Sequence, residues 1–342
     1  MYFTIPLLFV ICSSFVGVHG GLFDLFSTNT DYNMAFAMDS IFGIVINTTE
    51  FWINGNNTDP VEVNVKLMCG NRNNAALSRT FINDDNLKAK IDTSKPIVFV
   101  THGWLDNGNR VWMKEIKDDY LKYFDTNICI VDWGNLAIIG YMIAVKNTFI
   151  VGQYLADFIT YLNKQGIPLS KVTLVGHSLG AQISGHIGRN LGGQVSAIYG
   201  LDPAGPLFTM PFDVGTAKRL DSSDAKYVQT IVTSKCFTGV CAGDGHENFY
   251  PSGGWVPQPN CALPLFSNSE SPELVSCSHS HSITLFRMAL NPSNVFTGKA
   301  CIDYFSYYAA LCLFSASTKM GVYSSRIGGN FYVKTTAFSP YT

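Results

Sequence analysis

No stretch constrains this chain as much as Gly176-His177-Ser178-Leu179-Gly180. The run before it, Lys171-Val172-Thr173-Leu174-Val175, is apolar and β-branched, which predicts a strand. The run after it, Ala181 to Arg189, predicts a helix. A strand that turns sharply into a helix carries its serine Oγ outward at the end of a sheet. Glycines on either side are needed because side chains there would collide across the bend. A serine placed in this way asks the rest of the chain for a base, an acid and a pair of N–H donors.

The rest of the chain predicts a sheet to hold that turn. Ile97-Val98-Phe99-Val100 and Ile128-Cys129-Ile130-Val131 are continuous apolar runs, as expected of strands buried on both faces. Gln194 to Leu201 and Tyr227 to Thr233 predict two more strands. Val61 to Met68 alternates apolar and polar residues, which predicts an antiparallel edge strand with one solvated face. Helices are predicted over about 109–124 and over 145–164, where Val151, Tyr154, Leu155, Phe158, Tyr161 and Leu162 recur at helical spacing. Strands alternating with helices imply an α/β fold, a mainly parallel sheet with helices on both faces. With no internal repeat or low-complexity linker, residues 21–342 read as a single domain preceded by a signal peptide over 1–20.

That signal peptide rests on Ile5-Pro6-Leu7-Leu8-Phe9-Val10-Ile11, an apolar run too short to span a bilayer, followed by Val18-His19-Gly20, which suits cleavage. The n-region has no Lys or Arg. No later segment is apolar enough to span a membrane. Removal of Cys12 reduces the nine cysteines to eight, the even number expected of a secreted disulfide set. Short loops favour Cys236 with Cys241, Cys261 with Cys277 and Cys301 with Cys312, leaving Cys69 with Cys129. The spacings lack the paired C-x-x-C pattern of a zinc site. Two sequons, at Asn47 and Asn56, fit a secreted surface. A net charge of −2 with 14% charged residues gives no electrostatic footprint for nucleic acid.

In open α/β sheets, function gathers at the C-terminal ends of strands. Ser178, Asp202 in Gly200-Leu201-Asp202-Pro203 and the turn His102-Gly103-Trp104 all fall just beyond such ends. Asp202 is the candidate acid, in the order serine, acid, histidine expected of α/β-hydrolase-like sheets. Two candidates for the base lie in Cys277-Ser278-His279-Ser280-His281-Ser282; a third, His246, reads better as a buried hydrogen-bonding histidine. The oxyanion donors expected are the backbone N–H groups of Leu179, at a helix N-terminus, and Trp104.

These residues resemble the animal pancreatic-lipase family, which includes secreted phospholipases A1. The matching stretches are Thr101-His102-Gly103-Trp104, Val131-Asp132-Trp133, residues 176–181, 200–206 and 219–226, Gly245 to Pro251, and Cys277-Ser278-His279. They run in the family's order. The resemblance implies an α/β-hydrolase fold and a triad of Ser178, Asp202 and His279, choosing His279 over His281. It also implies oxyanion donors at Trp104 and Leu179 and a lid closed by Cys261 and Cys277. Some relatives hold a structural calcium where this chain has the carbonyl of Arg219 and the side chains of Asp221 and Asp224, oxygen ligands of the type calcium prefers; a solvated acidic turn is the alternative. No cofactor is required by the chemistry.

The chain ends at Thr342, without the C-terminal β-sandwich of the pancreatic lipases, and both the lid and the loop from Ser234 to Gly245 are short. Leu263, Leu265 and Phe266 make the lid apolar. The resemblance therefore implies a secreted, extracellular phospholipase A1 acting on lipid esters at a membrane or lipid surface. Triacylglycerol hydrolysis is the second expectation, and a non-catalytic lipid-binding protein on the same fold is the third.

Overall fold

The computed structural model describes residues 61–262 and 271–342, with 271–275 described as helix backbone. Outside it lie the apolar N-terminal run, the arm with Asn47 and Asn56, and Leu263, Leu265 and Phe266. In chain order the strands are β1 (Lys66–Asn71), β2 (Asn74–Thr80), β3 (Ile97–Thr101), β4 (Asn127–Asp132), β5 (Val172–His177), β6 (Ala197–Leu201), β7 (Val228–Ile231), β8 (Glu247–Pro251), β9 (Thr297–Ala300), β10 (Ser317–Lys319) and β11 (Gly329–Val333). They form one sheet in the order β10-β9-β11-β8-β7-β6-β5-β3-β4-β1-β2. The strands from β4 through to β11 in that order are parallel, and β1, β2, β9 and β10 run antiparallel to their neighbours.

Four longer helices cover the sheet: α1 (Val111–Tyr123), α2 (Tyr141–Lys164), α3 (Leu179–Asn190) and α4 (Ser271–Leu290). Alternation within the strands divides the core. Ile97 and Phe99 of β3 pack with Val151, Leu155 and Phe158 of α2 and Ile183 of α3. Val98 and Val100 point the other way, onto Met113, Ile116 and Tyr120 of α1 and Leu285 and Phe286 of α4. Each such side chain removed fully from water contributes roughly 1.5–3 kcal/mol. The helix α2 stops where Gly166 adopts a φ of 110°, a conformation that suits glycine.

The first predicted strand is corrected in two respects. Val61–Asn64 closes a helical turn, with the Val65 N–H donating to the Val61 carbonyl at 2.9 Å, and the strand starts only at Lys66. Pro60 stands immediately before that turn, where its restricted φ favours helix initiation over continuation of the two-residue alternation. Nor is β1 an edge: β2 folds back along its outer side. The three cysteine pairings read from loop length form, and so does the fourth, Cys69 with Cys129, left by elimination. Cys69 and Cys129 are directly opposed residues of β1 and β4, so their link staples the antiparallel end of the sheet to its parallel part.

Candidate active site

Ser178 sits between β5 and α3 at φ 56° and ψ −120°, a conformation that costs about 1–3 kcal/mol and persists only where its surroundings impose it. Here they do. A Cβ on Gly176 would lie 2.1 Å from the Gly180 carbonyl oxygen, and one on Gly180 would lie 2.2 Å from the Thr101 carbonyl oxygen. The turn is thus clamped between its own halves and the end of β3. A Cβ on Gly103 would approach the Ser178 Cβ to 2.8 Å, so the chain leading into Trp104 passes directly over the serine.

The turn at the end of β3 is itself held in place. The His102 ring stacks on Trp133 at 5.5 Å, Trp133 Nε1 donates to the His102 carbonyl at 2.8 Å, and the Trp133 N–H donates to His102 Nε2 at 3.2 Å. The half-buried Trp104 indole donates to the Ile139 carbonyl at 2.7 Å. The Trp104 backbone is therefore fixed beside Ser178, while Leu179 opens α3 with an N–H that has no intrahelical partner. These are the two backbone groups the sequence singles out as oxyanion donors.

Asp202 follows β6 and is fully buried. Its Oδ1 accepts the N–H groups of Thr233 at 2.8 Å and Ser234 at 3.1 Å. Its Oδ2 accepts from Ser234 Oγ and from His279 Nδ1, the latter at 2.6 Å. His279, on α4, lies 4.5 Å ring to ring from His177, the residue directly before Ser178. That brings the imidazole alongside the nucleophile's turn with Nδ1 engaged and Nε2 left for other partners. Burial, reinforced by His279 nearby, holds His177 well below the usual histidine range, so it stays neutral and adds no competing charge.

Three residues of this arrangement carried no signal in the sequence. Ser234 Oγ also accepts the Gly239 N–H at 2.9 Å and meets Thr238 Oγ1 at 2.7 Å, which ties the 234–241 loop to the Asp202 carboxylate. Gly239 is needed there because a Cβ would lie 2.4 Å from Asp202 Oδ1. Gln182 on α3 donates to the Ala204 carbonyl and accepts the Leu220 N–H, both at 2.8 Å, linking the nucleophile's helix to the chain beyond Asp202. Only the fold shows which distant backbone groups such side chains meet.

A lipase family model matches residues 43–341. The chain belongs to the lipase family. Lipase member H from Oryctolagus cuniculus is 33% identical over 256 residues, covering 74% of this chain and 54% of that protein. Pancreatic triacylglycerol lipase from Homo sapiens is 30% identical over 309 residues, covering 81% of this chain and 64% of that one. This lipase-family chain thus spans about half to two thirds of the length of these relatives. Among solved structures, an alpha/beta hydrolase enzyme from a Medee basin deep-sea metagenome library covers 54% of this chain and 69% of its own, at 15% identity and a TM-score of 0.31.

The other two candidate histidines stand apart from the arrangement of Ser178, Asp202 and His279. His281 is buried, neither ring nitrogen has a hydrogen-bond partner, and its ring meets Tyr341 edge-on at 5.0 Å. Burial pushes its pKa down to about 4, so it remains an uncharged packing group near neutral pH. His246 accepts the Val228 N–H at 3.0 Å, as a structural histidine should, but it is exposed rather than buried. It precedes β8 and so lies at the sheet end away from Ser178.

At the expected calcium position, the Arg189 guanidinium donates to the carbonyls of Thr216 at 2.8 Å and Arg219 at 2.6 Å and to Asp224 Oδ2 at 3.1 Å. The Arg219 side chain turns away to Asp213 and Asp244, leaving its carbonyl facing this point. Asp221 Oδ2 and Asp224 Oδ1 are buried without a hydrogen-bond partner. Arg189 Nη2 also lies 3.1 Å from Asp224 Oδ1 and 3.7 Å from Asp221 Oδ2, so the guanidinium stands at the point among these oxygens where calcium is expected. The oxygens are of the type a hard cation takes, and one would enter only with Arg189 moved aside. Among the described residues no three His, Cys, Asp or Glu side chains form a metal cluster, and the set here is two carboxylates plus main-chain carbonyls.

Proposed function

We propose that this chain is a secreted serine ester hydrolase that acts on lipids, with a phospholipase A1 reaction preferred. The observation that carries the reading is the 2.6 Å contact between His279 Nδ1 and Asp202 Oδ2 beside a serine held at positive φ. Asp202 fixes the imidazole with its proton on Nδ1, so Nε2 is basic and takes the Ser178 proton as Oγ attacks the ester carbonyl. The carbonyl oxygen becomes an anion between the N–H groups of Trp104 and Leu179. His279 then protonates the leaving alcohol. Water, deprotonated by the same nitrogen, releases the fatty acid and restores Ser178.

The substrate preference rests on the roof of the site. The link between Cys261 and Cys277 spans a sequence separation of 16, and Cys236 with Cys241 tightens the 234–245 loop to a separation of 5. By length alone, a short lid and a short 234–245 loop would leave room for a polar head group next to the scissile ester. The likeness to pancreatic triacylglycerol lipase supports triacylglycerol as the second substrate. The deciding experiment offers purified protein a phosphatidylcholine with different acyl chains at sn-1 and sn-2, alongside a triacylglycerol. Release of the sn-1 acid is expected; hydrolysis of triacylglycerol alone would overturn the phospholipase reading.

A structural calcium is part of the same proposal. Asp221 Oδ2, Asp224 Oδ1 and the carbonyls of Thr216 and Arg219 would hold it in place of the Arg189 guanidinium that donates to both carbonyls, and its contribution would be to neutralise buried carboxylate charge away from the reacting ester. A melting temperature several degrees lower in a chelator than in millimolar calcium is expected, following the usual linkage of ligand binding to stability. Identical melts in the two conditions would remove calcium from the account.

A further inference from the structure

The loop closed by Cys301 and Cys312, with the two residues after it, exposes an unusual set of side chains. Ile302, Phe305, Tyr308, Leu311, Leu313 and Phe314 are between 63% and 103% exposed, and Asp303 is the only charged residue from 302 to 314. Scattered apolar residues on a surface are ordinary, whereas six large ones on a single short loop mark a contact surface. The loop is also firmly built. Asp303 accepts the Ser306 N–H at 2.7 Å to cap the short helix Tyr304–Tyr308. The Lys299 ammonium donates to the Leu313 carbonyl, and Ser315 Oγ donates to the Ala300 carbonyl. Tyr304 and Tyr307 pack on Tyr332, which stacks on Tyr250.

Its position relates it to the active site. The aromatic base of the loop belongs to one cluster with Val232 and Val240. Val232 directly precedes Thr233 and Ser234, whose N–H groups hold Asp202. The stem of the loop leaves β9 at the end of the sheet where β11 begins. Its short helix folds back over the sheet so that the Tyr304 ring reaches Gly253, just beyond the end of β8 and so at the sheet end where Ser178 lies; a Cβ on Gly253 would lie 2.8 Å from that ring.

We propose that the 301–314 loop is a lipid-surface anchor, which inserts Phe305, Leu313 and Phe314 into a bilayer or lipid droplet and presents Ser178 to it. Shape favours lipid over a protein partner. Phe314 protrudes completely, and a fluid acyl phase accepts a convex apolar knob, whereas a protein would need a matching pocket. The tyrosines at the loop's base suit the boundary between acyl chains and water, where an aromatic ring buries its body and wets its hydroxyl. Continuity with the catalytic end of the sheet supplies the second reason, since the substrate ester lies in that same apolar phase. The inference rests on the lipid-hydrolase reading for its purpose, though not for its measurement.

The test uses the full chain and a triple variant, Phe305→Ser, Leu313→Ser and Phe314→Ser. Binding to large unilamellar phosphatidylcholine vesicles is measured by sedimentation with Ser178→Ala added to both, so that no lipid is consumed. Loss of three inserted side chains should lower partitioning roughly tenfold or more. With Ser178 intact, turnover of a short-chain water-soluble ester should be the same in parent and triple variant. Equal partitioning of the two proteins would overturn the anchor. So would a parent dimer that the variant converts to a monomer, or a melting temperature several degrees lower in the variant, since these show the patch covered by a second copy or by the chain itself. Failure of the parent to cleave any ester would instead count against the hydrolase reading, leaving the partitioning result to stand on its own.

Discussion

Ser178→Ala is expected to lower ester hydrolysis by roughly a million-fold while leaving the fold intact. Alanine inherits the same φ of 56°, so the turn's strain is neither relieved nor increased. The glycines that force the turn, Gly176 and Gly180, are untouched. What disappears is the only atom there able to form a covalent bond with the acyl carbon, while the backbone donors at Trp104 and Leu179 remain. Catalysis of roughly a thousandfold or more over water should therefore persist from them. His279→Ala should fall almost as far, and the double variant little further, because nucleophile and base act as one unit. His281→Ala, which removes an uncharged packing group, should retain turnover within a small factor. The measurement is kcat/KM on a water-soluble ester together with a thermal melt. A folded Ser178→Ala protein that keeps more than a few per cent of wild-type turnover would sink the assignment of Ser178 as nucleophile.

Most of what locates this site could be read from local pattern. The glycines around Ser178 are local steric requirements, and the structure shows the two collisions that impose them. Buried parallel strands announce themselves as apolar runs, so β3, β4, β5 and β6 were readable, as were the long helices α1 and α2 from their spacing. The failures share a cause. Residues 61–64 carry a strand's alternation but lie next to Pro60, and the local turn prevailed. The strands β9 and β10 are short, β2 has seven residues but a mixed composition with little periodic signal, and β8 lies within a motif whose histidine drew attention before its strand did. Choosing between His279 and His281 was beyond periodicity. Both are buried on α4, and only the tertiary contact with Asp202 on one side and Tyr341 on the other separates them. Ser234 was invisible for a related reason: its function depends on a carboxylate 32 residues earlier in the chain.

That carboxylate gives the second large expected effect, and its hydrogen bonds determine the form it takes. Asp202 meets four donors: two backbone N–H groups at Oδ1, and His279 Nδ1 with Ser234 Oγ at Oδ2. An ionised carboxylate can accept all four, but an asparagine offers one oxygen and one NH2 group. If the amide nitrogen of Asp202→Asn took the Oδ1 place, it would face two N–H groups that cannot turn away, at a cost of about 1–3 kcal/mol for each unpaired buried donor. If it takes the Oδ2 place instead, the Ser234 hydroxyl can rotate to accept and the imidazole can change tautomer. The second arrangement costs less, so it should be the one adopted. Its consequence is that His279 must accept at Nδ1 and carry its proton on Nε2, the nitrogen that has to receive the proton of Ser178. Stability should therefore fall by no more than about 2 kcal/mol, while kcat/KM on a soluble ester falls roughly ten-thousandfold. Asp202→Ala should show the opposite balance in stability, since it orphans both backbone N–H groups and lets neither partner compensate. An Asp202→Asn protein with turnover within tenfold of the parent would mean that Asp202 does not set the tautomer of His279, and the proposed triad would lose its acid.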